Sequence, residues 1–265
     1  MTDSTILKDV QKQNDKRGID IQKVGVNGVE VPLIVERKNE QSQTVSAKAR
    51  LSVTLPHNCR GTHMSRFMEV LSDYSTKNLL GVDIKGMLYD IKKKLESNGA
   101  HAKFEFKYFI NKKAPVSGIE FPVGYDCSFQ GDLNGDDYKF ILGVKVPITT
   151  LCPCSKEISK YSAHNQRTMV KVKVSYDENN MIWIEDLVEQ IEACGSSQIY
   201  SILKRNDEKY VTEKAYENPK FVEDVLRDVI GLLKKDEKIT FYEVEVEAQE
   251  SIHNHNAWAW QSETK

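Results

Sequence analysis

The chain switches its hydrophobic period several times, and the order of the switches narrows the folds open to it. Val29, Val31, Leu33 and Val35 alternate with other residues, and after the polar break Lys38–Gln43 the alternation resumes at Ala47, Ala49, Leu51, Val53 and Leu55. Period-two side chains line one face of a strand, so these segments read as two strands of a hairpin. Phe67, Val70, Leu71 and Tyr74 then take helical spacing, with Ser65 as the expected N-cap. A second helix begins near Val82 and gathers Ile84, Met87, Leu88, Ile91 and Leu95 on one face, ending before Gly99. Phe104, Phe106, Tyr108 and Ile110 return to period two, and 119–129 adds another strand. The first half therefore reads β-β-α-α-β-β.

The second half repeats that order. Strands are expected over 138–148 and 168–176, helices over 186–194 and 221–234, and strands over 239–248 and around 256–260. No residue-level repeat accompanies it, so the duplication is one of element order. The expected organisation is an N-terminal arm over 1–20, a first unit over 21–133 and a second over 134–265, of α+β class with antiparallel sheets. Such sheets leave open edges, so an oligomer is expected, with sites at its subunit interfaces.

Composition sets outer limits on function. With 265 residues, 40% hydrophobic and 29% charged, the chain can bury a sizeable core. A net charge of −2 gives no global field for nucleic acid or an anionic membrane, so an anionic substrate needs a local basic pocket. No apolar run approaches the roughly 20 residues that span a bilayer, and the polar first nineteen residues hold no secretory h-region. Five cysteines, two of them in a Cys-x-Cys, do not read as a disulfide framework. A reducing cytoplasm is the expected compartment.

Chemistry concentrates in a few segments. Cys152 and Cys154 flank Pro153 after a strand, and an extended Cys-x-Cys would turn both thiols to one side. They are either ligands and catalytic groups or two small core residues in a turn. His164, ten residues past Cys154 in a polar loop, favours the former, since thiolate and imidazole suit zinc or another borderline divalent ion. No second Cys pair closes a four-ligand structural site, so an open one is expected, as metal-activated water requires. His253 and His255 follow Glu250, whose strand parity would turn it inward beside an imidazole. They are either proton carriers or a solvated strand end. Arg60, His63, Ser65 and Arg66 surround a strand-to-helix turn that suits an anion, or is an ordinary solvated basic turn.

Five stretches in order, Leu55–Phe67, Leu151–Lys156, Ser162–Arg167, Lys204–Lys209 and Glu250–Asn256, resemble the type IB GTP cyclohydrolases. The resemblance spans most of the chain. It implies tandem tunnelling-fold units, each antiparallel β-β-α-α-β-β, assembled into an oligomeric barrel, here a homotetramer. It also implies metal-dependent hydrolysis of GTP to formate and 7,8-dihydroneopterin triphosphate, the first step of tetrahydrofolate and pterin biosynthesis. Carried onto this chain, the metal ligands would be Cys152, His164 and Glu208, with Asp207 and Glu213 close to the last, and the ion zinc, manganese or iron(II). Cys154, His253, His255 and Glu250 would move protons, and Glu223, with Glu217 as the alternative, would hold guanine. Arg60, His63 and Arg66 would meet the triphosphate, helped by Lys204, Arg205 or Arg167. Two other readings stand beside this one. Another tunnelling-fold pterin enzyme, a reductase or a relative of 6-pyruvoyl-tetrahydropterin synthase, would use NADPH and a nucleophilic Cys or a zinc on three histidines. A non-catalytic metal-stabilised module would close a four-ligand site.

Overall fold

A computed structural model of the chain describes residues 9–39, 41–79, 81–177 and 180–265. It separates into two compact units that interleave along the sequence. One holds Thr44–Glu105, Phe129–Phe140 and the chain up to Glu36; the other holds Arg37–Gln43, Phe106–Ser128 and Ile141–Lys265.

The strands β1 (Ile21–Glu36), β2 (Ser42–Leu55), a two-residue β3 (Asn78–Leu79), β4 (Gly99–Lys113) and β5 (Glu120–Asn134) are hydrogen-bonded in the order β5-β4-β2-β1-β3; Ser42–Gln43, Phe106–Lys113 and Glu120–Ser128 fall in the second unit, the remainder in the first. The helices of the first unit are α1 (Met64–Tyr74) and α2 (Gly81–Leu95). The alternating residues Ala47, Ala49, Leu51 and Val53 are buried, as are Phe67, Val70 and Leu71 of α1 and Ile84, Met87, Leu88 and Ile91 of α2. The periodicities therefore face one another across a shared core. Gly25 is obligatory where β1 passes β2, since a Cβ there would fall 2.0 Å from the Leu51 carbonyl oxygen. His63, not Ser65, is the N-cap of α1, and it makes no side-chain cap bond. Residues 11–15 lie against the turn before α1, with the amides of Arg60 and Gly61 donating to the carbonyls of Gln13 and Gln11.

The second unit is built on β6 (Asp137–Leu151) from Ile141 onward, β7 (Asn165–Tyr176), β9 (Ile239–Ala248) and β10 (Ala257–Thr264), with a short β8 (Ser197–Gln198) also paired to β6. The ladders β6/β7, β7/β9 and β9/β10 are antiparallel. Helices α3 (Pro153–Ile158), α4 (Ile184–Ala193), α5 (Arg205–Glu217) and α6 (Val222–Lys235) complete it. Val144, Val146 and Ile148 of β6, Val170, Val172 and Val174 of β7, and Val244 and Val246 of β9 form the buried face. Val225, Val229 and Leu233 of α6 and Leu187, Val188 and Ile191 of α4 are buried with them.

The expected tandem of antiparallel β-β-α-α-β-β tunnelling-fold units does not describe this architecture. β3 pairs in parallel with β1, so the sheet is not wholly antiparallel. Two unforeseen helices intervene, α3 after β6 and α5 between α4 and α6. Both have local causes. Pro153 at the first helical position is pre-organised for a helix where an extended segment was expected. The α5 sequence lacks a strong apolar stripe, and its start is instead fixed by Asp207.

That carboxylate, fully buried, accepts from the amides of Lys204 (2.8 Å), Val116 (2.8 Å) and Ser117 (2.8 Å) and from the Ser117 hydroxyl (2.7 Å). Burial alone would raise its pKa, but these hydrogen bonds prevail and hold it well below the usual carboxylate range. A depressed pKa contributes stability above the unfolded value, about 3.9, that is lost as pH falls below it. Asp207→Asn should therefore lower the urea midpoint at pH 7 and narrow the gap between midpoints measured at pH 7 and pH 3. An unchanged gap would show that Asp207 does not drive acid sensitivity.

Candidate active site

The ladder β6/β7 ends with Leu151 opposite Asn165, and one further bond follows, from the Cys152 amide to the His164 carbonyl (3.1 Å). The thiol and the imidazole are thus held side by side by the sheet itself. Just inside, Thr150 and Thr168 share a buried hydroxyl bond of 2.7 Å. On the other side of β7, Ala248 pairs with Thr168, and the Gln249 amide donates to the Arg167 carbonyl (3.0 Å). This sets Glu250 beside His164. The Lys220 amide donates to the Leu151 carbonyl (3.0 Å), so the start of α6 closes the remaining wall.

The enclosed space is a cavity of about 290 Å³, lined by Cys152, His164, Gln166, Glu223, Glu250, His253 and His255 together with Thr150, Lys220, Phe221, Val222 and Ala257. It lies at the lower end of the range for small-molecule sites, about 300–1,000 Å³. Five of the residues expected at the site beside Cys152 line it: His164, Glu223, Glu250, His253 and His255. The Cys152 Sγ accepts from the Ser155 amide (3.4 Å) as the N-cap of α3. His164 Nδ1 stands 2.9 Å from Gln166 Oε1 and 3.9 Å from Glu250 Oε2, and Gln166 Nε2 donates to Glu250 Oε1 (3.1 Å). The rings of His253 and His255 stack, with centroids 5.0 Å apart. β9 ends at Ala248, so Glu250 reaches the cavity from the turn after the strand and not by strand parity.

Other expected residues lie elsewhere. Cys154 is exposed in the first turn of α3 and does not line the cavity, because the segment is helical and its two thiols diverge. Glu208 is exposed on α5 and is likewise absent from the lining. Neighbouring helix positions point about 100° apart, so burying Asp207 turns Glu208 outward. Among the described residues, no group of three His, Cys, Asp or Glu is placed to hold a metal. In the first unit His63 and Arg66 line a separate cavity of about 200 Å³. Their groups have partners there: His63 Nε2 lies 3.1 Å from Asp9 Oδ2, and Arg66 donates to the Lys94 carbonyl (2.9 Å). Arg60 donates to the Gln13 side chain (3.0 Å).

Gln166 and Lys220 were not foreseen. Gln166 sits inside the Ser162–Arg167 motif and shares strand parity with Thr168, a signal that was present. Lys220 precedes α6 after Asn218 and Pro219, and nothing local distinguishes it from a surface lysine.

The model of the family described as type I GTP cyclohydrolase FolE2 matches residues 7–259. The chain belongs to the type I GTP cyclohydrolase FolE2 family. Relatives named GTP cyclohydrolase FolE2 include that of Geotalea uraniireducens, 52% identical over 253 residues, covering 96% of this chain and 92% of the relative. The Geobacter metallireducens and Thermosipho africanus relatives are 49% and 48% identical, each covering 96% of both chains. Among solved structures, the chain resembles uricase from Arthrobacter globiformis with a TM-score of 0.53 at 6% identity, covering 92% of this chain and 93% of that one. Urate oxidase from Bacillus sp. TB-90 gives 0.52 at 8% identity, covering 92% and 100%. At such identities the likeness speaks for the fold alone. It is the uricase fold that this FolE2 family member shares, in place of the tunnelling-fold tandem expected from its sequence. No helix among the described residues is long and apolar enough to cross a membrane.

The five cysteines are all free and differ in access. Cys154 is exposed, whereas Cys127 and Cys194 are buried and their thiols are pushed up by desolvation, that of Cys194 to about 11. Alkylation of the native protein should modify Cys154 first and leave Cys127 and Cys194 intact until denaturant is added. Peptide mass spectrometry reads the order, and early labelling of Cys194 would contradict this packing.

Proposed function

We propose that the chain hydrolyses GTP, opening the imidazole ring of guanine, releasing C8 as formate and leaving 7,8-dihydroneopterin triphosphate for folate biosynthesis. Membership of the FolE2 family supports the reaction. The observation that carries the site is the convergence of Cys152, His164, Glu223, Glu250, His253 and His255 on one cavity.

Within it the residues divide by chemistry. Glu223, in the first turn of α6, would accept the N–H groups of guanine. His253 and His255, exposed residues that line the cavity, would exchange protons with the opening ring, since an imidazole nitrogen can both give and take a proton. Glu250, tethered by Gln166, would stabilise the imidazolium that forms. Cys154 keeps its proposed part as a proton carrier only if substrate reaches the first turn of α3. Arg60, His63 and Arg66 remain the proposed triphosphate contacts, and would first have to exchange their partners within the chain.

A divalent metal belongs to the proposal. The donor chemistry of Cys152 and His164 fits a borderline ion, zinc, manganese or iron(II), and both face the cavity. Such an ion supplies a water acidified enough to attack at neutral pH. Glu208 would complete the shell only with a movement of the α5 start, which the four bonds to Asp207 oppose. The finer type IB label, a homotetramer and a cytoplasmic location are part of the same proposal. The exposed Trp258 and Trp260 on β10 and the incomplete ligand set favour association, and the free cysteines favour a reducing compartment.

Purified protein given GTP and Mn²⁺ should release formate and, after oxidation, a fluorescent neopterin. Folded protein that yields neither product with zinc, manganese or iron(II) would overturn the reading. Cys152→Ala should lose bound metal together with turnover. His253→Ala should retain the metal while turnover falls by about 10²- to 10⁴-fold; metal loss in that variant would reassign it to the ligand shell.

A further inference from the structure

Among the described residues, every side-chain partner of the His164 ring lies at one nitrogen. Nδ1 is 2.9 Å from Gln166 Oε1, 3.5 Å from Ser251 Oγ and 3.9 Å from Glu250 Oε2. The orientation of Gln166 follows from its other end. Its amide reaches Glu250 Oε1 at 3.1 Å, and an ionised carboxylate only accepts hydrogen bonds. The amide nitrogen must therefore face Glu250, and the carbonyl oxygen must face His164. A carbonyl oxygen cannot donate, so the Nδ1 that meets it carries the proton. In the neutral ring the lone pair is then left on Nε2.

We propose that Gln166 is a positioning residue: its carbonyl fixes His164 as the Nδ1–H tautomer with Nε2 turned to the cavity, and its amide tethers Glu250 alongside. One side chain thereby sets the free lone pair of a ligand and the place of a carboxylate. The arrangement suits a group that binds through Nε2, because a metal-ligating imidazole almost always donates its other N–H to an oriented acceptor. In that respect the inference rests on the metal-dependent reading above. The tautomer itself follows from the hydrogen bonds alone.

Its place in the fold explains how the contact is kept. Gln166 is the second residue of β7, paired with Thr150 of β6, so the ladder holds its backbone. The half-buried side chain spans from the loop before β7 to the turn after β9, alongside the longer 3.5 Å contact between Ser251 Oγ and His164 Nδ1.

The test compares wild type, Gln166→Leu and Gln166→Glu, with thermal unfolding as the check on folding. Long-range ¹H–¹⁵N correlation spectra of histidine-labelled protein at pH 8, assigned with His164→Ala, report the tautomer without metal or GTP. Wild type should show Nδ1 protonated. Gln166→Leu should lose that signature and weaken Co²⁺ binding by about 10- to 100-fold. Gln166→Glu, which keeps an acceptor for Nδ1–H but repels Glu250, should restore the tautomer while turnover stays low. A Gln166→Leu protein that is folded, keeps Nδ1 protonated and binds Co²⁺ like wild type overturns the proposal. Wild type that makes no formate from GTP would sink the functional reading, and the tautomer comparison would still decide this one.

Discussion

The register of β7 between β6 and β9 is the constraint on which the rest of the second unit depends. Val170 and Val172 lie opposite Val146 and Val144 on one side and Val246 and Val244 on the other, so one slip would turn this valine layer to solvent. The same register fixes what happens where the strands end. Leu151 stands opposite Asn165, and Thr168 opposite Ala248, so the next residues out are Cys152, His164 and Gln249, with Glu250 one further. The apolar core thus specifies the polar site without contributing an atom to its chemistry. The buried Thr150–Thr168 bond marks the boundary between the two, a polar pair satisfied within the sheet whose Thr150 already lines the cavity.

Acidic residues in this unit serve two different ends, and hydrogen bonding separates them. Asp207 has both oxygens occupied by donors from the chain. Glu192 is also buried, and it accepts from Tyr125 (2.7 Å) and Lys112 (2.6 Å). Desolvation lowers the Lys112 pKa against the pull of Glu192, and burial with the same carboxylate raises that of Tyr125. These groups are committed to holding α4 and α5 in place. Glu223 and Glu250 instead open onto a cavity, and Glu250 is held by a single neutral amide. A carboxylate held so lightly keeps lone pairs for a substrate or an imidazolium, which a saturated one cannot offer.

Much of the sheet was legible because period two is written directly into residues such as Val170, Val172 and Val174. The helices with a clear apolar stripe, α1, α2, α4 and α6, were legible for the same reason. α5 was not, since its register comes from a long-range bond between Asp207 and the backbone of Val116 and Ser117, some 90 residues away. α3 was missed because the alternation expected for Cys-Pro-Cys assumed an extended chain, whereas Pro153 starts a helix. That one difference separates the two thiols, sending Cys152 to the cavity and Cys154 to solvent. Of the candidate site, Cys152, His164, Glu223, Glu250, His253 and His255 were legible as residue types in motifs, and the structure brings them to one cavity. Glu208 lies outside it, exposed on α5, while the buried hydrogen bonds of its neighbour Asp207 fix the inward direction of that helix start.

The two kinds of likeness divide along the same line. About half of the residues are shared with proteins named GTP cyclohydrolase FolE2, whereas the uricases share a backbone course at 6–8% identity. A sheet can survive such divergence because its requirement is coarse: apolar residues at period two, a register and helices to cover one face. The proposed chemistry has no such tolerance. It needs a thiol at the α3 N-cap, an imidazole across the ladder from it and an amide that reads both that imidazole and Glu250. Each is a particular atom at a strand end, and strand ends are where one sheet can be refitted for different chemistry without disturbing its core. The Gln166 bridge is the clearest instance: a leucine there would still be compatible with the strand, but would leave His164 without its acceptor and Glu250 without its tether.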